Sequence, residues 1–134
     1  MRTYLMNLLI AAVLVGALTA VAAPARCADT LNAAATMALV DRNKDGRIDR
    51  EEYHQRMTEV FYFADVDKDG KVTYAELAVV TAVDPEAFKK ADRDGDGKLT
   101  LYEFLYIVHR DFDAADRNQD GTIDMQELVV LIGK

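Results

Sequence analysis

Four acidic stretches of twelve residues constrain this chain more than any other feature. The first puts Asp41, Asn43, Asp45, Asp49 and Glu52 at its positions 1, 3, 5, 9 and 12, with Gly46 at position 6. The second places Asp65, Asp67, Asp69, Thr73 and Glu76 in the same way around Gly70. Asp92, Asp94, Asp96, Thr100 and Glu103 follow around Gly97, and Asp116, Asn118, Asp120, Asp124 and Glu127 around Gly121. All four satisfy D-x-[DN]-x-[DN]-G-x5-E without a missing position. A solvated acidic surface with glycine turns would not repeat such a pattern four times.

The spacing has a mechanical reason. Oxygens at positions 1, 3 and 5 of a tightly coiled loop converge on one centre, and glycine at position 6 permits the turn that folds the later half back over it. Position 7 offers only its backbone carbonyl, so the side chains of Arg47, Lys71, Lys98 and Thr122 are expected to be arbitrary. Position 8 is apolar throughout (Ile48, Val72, Leu99, Ile123), which suits a short strand between two packed loops. An all-oxygen donor set selects hard cations over zinc or copper. A bidentate glutamate with six or seven ligands exceeds the octahedral demand of magnesium and suits calcium.

On these residues the chain resembles EF-hand proteins, and within them small exported bacterial proteins that pack four hands into about a hundred residues. The resemblance spans residues 29–134. It implies an all-α fold of four helix–loop–helix units joined by short β pairing, and up to four calcium ions held at the positions named above, position 7 included. The charge agrees. Sixteen of the chain's 23 acids stand at positions 1, 3, 5, 9 and 12 of the loops. Without residues 1–25 the chain has 23 acids against 15 bases, a net charge of −8 that four calcium ions would balance.

The loops start at residues 41, 65, 92 and 116, and the first two recur as the last two at an offset of 51, the mark of an internal duplication. Four residues ahead of them stand Met37, Phe61, Phe88 and Phe112, expected as core anchors on the entering helices. Only twelve residues separate the first loop from the second and the third from the fourth, with no Gly or Pro among them. In familiar EF-hand pairs this interval is about twice as long and holds two antiparallel helices. Tyr53, Met57, Val60, Phe61 and Ala64 in one interval, and Phe104, Val108, Phe112 and Ala115 in the other, keep helical spacing. Each interval is therefore expected to form one helix shared by two loops, roughly 22 Å long, with its loops at opposite ends. The middle interval breaks at Asp84-Pro85, a cap and first-turn pair with Val83 and Phe88 as a hydrophobic staple across it. The break lets the second loop lie beside the third. The first and fourth then meet at the other end.

All acids lie at or after Asp29, and Arg2 is the one charge in residues 1–25. A short basic start, an apolar run from Leu8 to Ala23 and small residues after it predict a secretory signal peptide over 1–25, cleaved after Ala25 or else after Ala22. The apolar run is short against the roughly 20 residues of a membrane span. A periplasmic or secreted protein follows, with no stable membrane span after cleavage. Cys27 is the only cysteine, so no intrachain disulfide can form.

The acidic pI of about 4.7 excludes a nucleic-acid partner, which requires a basic face. Its partners are expected to be calcium ions, with the chain itself a monomer. His54 and His109 read as isolated and non-equivalent in the repeat, no nucleophile or phosphate-loop signature appears, and an enzyme is not expected. The expected role is an exported calcium buffer or store, or a module that calcium holds together. The alternative is a calcium sensor that exposes an apolar surface to a protein partner. Without residues 1–25 the chain keeps only Met37, Met57 and Met125, few for the Met-rich surface sensors use.

Overall fold

The computed structural model describes residues 25–80 and 85–132. Helix α1 (Ala25–Val40) leads through loop 1 and strand β1 (Ile48–Asp49) into α2 (Arg50–Ala64). Loop 2 with β2 (Lys71–Thr73) follows, then the short helices α3 (Tyr74–Val80) and α4 (Pro85–Ala91). Loop 3 with β3 (Lys98–Thr100) leads into α5 (Leu101–Ala115), and loop 4 with β4 (Thr122–Ile123) into α6 (Met125–Ile132). The two twelve-residue intervals are single helices, α2 and α5, each shared by two loops. The expected signal peptide and the Val83-Asp84 staple and cap lie outside the described residues.

The strands pair as the break at Pro85 predicts. β1 lies antiparallel to β4 with Ile48 opposite Ile123, and β2 antiparallel to β3 with Val72 opposite Leu99. All four of these position-8 side chains are fully buried. Loops 1 and 4 thus form an outer pair, and loops 2 and 3 an inner pair.

This pairing forces α2 and α5 to run antiparallel through the centre. Tyr53 meets Phe112 edge-on at 5.4 Å between ring centroids, and Phe61 meets Phe104 at 5.5 Å. The two contacts interchange under the 51-residue repeat, so the helix pair carries an approximate two-fold axis near Met57 and Val108. α1 packs on α6, α3 on α2 and α4 on α5, closing one core. Met37, Phe61, Phe88 and Phe112 are all buried in it. Burial of such side chains contributes roughly 1.5–3 kcal/mol each.

Candidate metal centre: four loops in two pairs

Each loop begins as a helix ends. The amide of Asp41 donates to the Met37 carbonyl at 2.9 Å, and those of Asp65, Asp92 and Asp116 donate likewise to Phe61, Phe88 and Phe112. The apolar anchor thus fixes where position 1 falls. Its carboxylate stands at the negative end of the helix dipole, an unfavourable place for an anion unless a cation joins it.

Backbone amides then orient the acids. Asp41 accepts from the amides of Asp45 at 3.2 Å and Gly46 at 2.8 Å, and Asp116 accepts from Asp120 and Gly121 at 3.1 and 2.9 Å. The position-3 side chain accepts from the position-5 amide in every loop, and position 5 from the position-7 amide at 2.9 Å. Loop closure falls to the glutamate. One oxygen of Glu52 takes the amides of Arg42 and Asn43, while the other takes that of Asp49. Glu127 does the same with Arg117, Asn118 and Asp124.

That glutamate is also the third residue of the next helix. Asp49 with Glu52, and Thr100 with Glu103, form reciprocal capping boxes at the starts of α2 and α5. Positions 9 and 12 therefore end the loop and start the helix with the same two residues. In the inner loops the Thr73 and Thr100 hydroxyls donate to Glu76 and Glu103 at 2.7 and 2.8 Å. Hydrogen bonds from the Thr73 and Thr100 amides, with those hydroxyls, hold both glutamates below the ordinary carboxylate range.

The turn needs left-handed backbone twice per loop. Gly97 at position 6 has φ 81°, and position 4 is also left-handed, at Lys44, Lys68, Gly95 and Gln119. Position 4 carries no sequence signal except in the third loop, where it is glycine.

The acids converge where the pattern places them. Asp65, Asp67 and Glu76 each bring one oxygen within 4.8 Å of the others, as do Asp92, Asp94 and Asp96. In loops 1 and 4 position 3 is an amide, Asn43 or Asn118, which supplies the same oxygen without the charge. Calcium takes about six to eight oxygens. Carboxylates, amide or hydroxyl oxygens and the carbonyls of Arg47, Lys71, Lys98 and Thr122 form a set that fits it.

The position-7 side chains depart from expectation, for they are not arbitrary. Lys71 is ion-paired to Asp96 and Lys98 to Asp69, a reciprocal clasp between the inner loops. Arg47 reaches from loop 1 to Asp120 of loop 4 at 2.8 Å and to the Thr122 hydroxyl. The lysine hydrogen bonds lead in lowering the pKa values of Asp69 and Asp96, while the Thr122 hydroxyl leads for Asp120. Strand pairing sets Lys71, Lys98 and Arg47 beside the partner loop's position 5, a contact invisible in either loop alone, whereas the Thr122 hydroxyl donates to Asp120 of its own loop. His54 and His109 are not isolated either. They face each other across α2 and α5.

A family model described as an EF-hand domain pair matches residues 54–109, and one described as an EF hand matches residues 33–58 and again 110–132. The chain belongs to the EF-hand family. The matches follow the pairing in space: the pair model covers loops 2 and 3, and the single-hand matches cover loops 1 and 4. Membership carries calcium binding with it. A comparison of the whole chain with curated proteins found no match. Among the described residues, no helix is long and apolar enough to cross a membrane.

Proposed function

We propose that this EF-hand protein is an exported, non-enzymatic calcium buffer or calcium-stabilised module that takes up four ions, one per loop. The observation that carries this reading is the sharing of α2 and α5. Each helix has a loop at both ends and its partner along its length, so a loop cannot swing open without pulling on the central core. Met37 and Met57 lie inside that core and are not available to a groove. Crowded carboxylates repel when no ion is present, and ions that bind only the folded form stabilise it by about 2.7 kcal/mol each at a hundredfold excess over Kd. The sequence of residues 1–25 supports export to a periplasm or beyond.

A sensor role has one observation in its favour. Tyr62, Phe63 and Val66, at the α2–loop 2 junction, are exposed. Calcium titration in the presence of a hydrophobic dye separates the two. Buffering predicts calcium uptake with little dye response, whereas a large calcium-dependent dye signal would establish the sensor.

A further inference from the structure

We propose that His54 and His109 form a second kind of metal site, a two-imidazole clip for a borderline divalent ion of the zinc class that joins α2 to α5. Nδ1 of His54 and Nε2 of His109 lie 3.2 Å apart, with ring centroids at 5.3 Å and the planes tilted by 44°. Two nitrogens held on one tetrahedral zinc at about 2.0–2.1 Å stand about 3.3–3.4 Å from each other. The nitrogen separation therefore matches such a bite, and a rotation of the two rings that turns both lone pairs from the line between them toward one point completes the clip. His109 is exposed and His54 half-buried, so an ion can reach both.

The placement is specific. Under the 51-residue repeat the equivalents of His54 and His109 are Leu105 and Thr58, so the other end of the same helix pair has no imidazole. One turn away, Glu51 accepts from the Gln55 amide at 2.8 Å and Asp113 pairs with Arg50 at 2.5 Å. Those carboxylates are engaged, which leaves water to complete the coordination. Imidazole nitrogen suits zinc, copper and nickel, while the oxygen loops suit calcium. The two sites divide their ions by ligand type. A bound ion would clamp the two shared helices together at the end nearest loops 1 and 4.

The test is calorimetric zinc titration of the full chain carrying Cys27→Ser, which removes the competing thiol, in saturating calcium. One zinc ion per chain is expected, with the imidazole NMR signals of both histidines shifting together. His54→Gln and His109→Gln should each weaken zinc binding about tenfold or more while calcium uptake stays as before. Unchanged zinc affinity in either variant, or displacement of zinc by excess calcium, would overturn the proposal. So would an imidazole pair that zinc leaves undisturbed, which would make it a hydrogen bond and nothing more. Should either variant lose calcium uptake through misfolding, the paired imidazole shifts in the parent protein still decide.

Discussion

The two ends of the α2–α5 pair are copies of one another in backbone and opposites in chemistry. At the end nearest loops 2 and 3 the contacts are apolar: Phe61 meets Phe104, and Val60 is buried beside them. At the end nearest loops 1 and 4 the equivalent of Phe104 is Tyr53, and that of Val60 is Asp111. Around these stand the His54–His109 contact and the Arg50–Asp113 pair, with Arg50 also over the Phe112 ring. The repeat gives both ends the same helix register, and one end fills it with ionisable groups. The helix pair tolerates this because the buried Tyr53–Phe112 and Phe61–Phe104 contacts hold it together at both ends.

The largest test of that equivalence is the aromatic core. Phe104→Ala and Phe112→Ala each remove a fully buried ring and should each destabilise the calcium-loaded protein by about 3–5 kcal/mol in chemical denaturation. A much smaller loss for Phe112→Ala would show that the polar end is not packed like its copy.

Asp111 sharpens the contrast next. Burial pushes its carboxyl up to about 6, with Arg110 opposing only in part. Native Asp111 thus holds its proton more tightly than the unfolded chain does. Its neutral form is free of penalty below pH about 4, and stability falls as pH rises through about 6. Asp111→Asn should raise stability by up to about 3 kcal/mol at pH 8 and make no difference at pH 3.5. Denaturation curves of parent and variant at the two pH values check this, and an equal effect at both would refute the burial argument.

The smallest effect concerns the loops. The inner pair has two Lys–Asp clasps, and the outer pair one Arg–Asp contact with Thr122 in the second place. Exposed ion pairs contribute little each and fade with salt. Lys71→Met with Lys98→Met should therefore cost more than Arg47→Met at low salt, and the gap should close at 1 M. Removing the lysines also strips positive charge from loops 2 and 3, so their calcium affinity should rise, as titration at low salt would show.

Much of this architecture was legible in the sequence. The twelve-residue intervals dictated α2 and α5, and the break at Pro85 dictated which loops meet. Those signals are local, resting on periodicity, turn chemistry and glycine spacing. The clasps of Lys71, Lys98 and Arg47 were not legible, because they arise only once two strands are in register. The His54–His109 contact joins residues 55 apart in the chain and needs the antiparallel register of α2 and α5. Each was a consequence of the loop pairing. Laying one shared helix antiparallel to the other about Met57 and Val108 brings the side chains at positions 54 and 109 within reach of each other.

All of this depends on four loops acting as four calcium sites. Calorimetric calcium titration of the whole protein, repeated with Glu52→Gln, Glu76→Gln, Glu103→Gln and Glu127→Gln singly, tests it most directly. Four bound ions in the parent and three in each variant are predicted. A parent that binds two ions or none, or a variant that keeps all four, would contradict it.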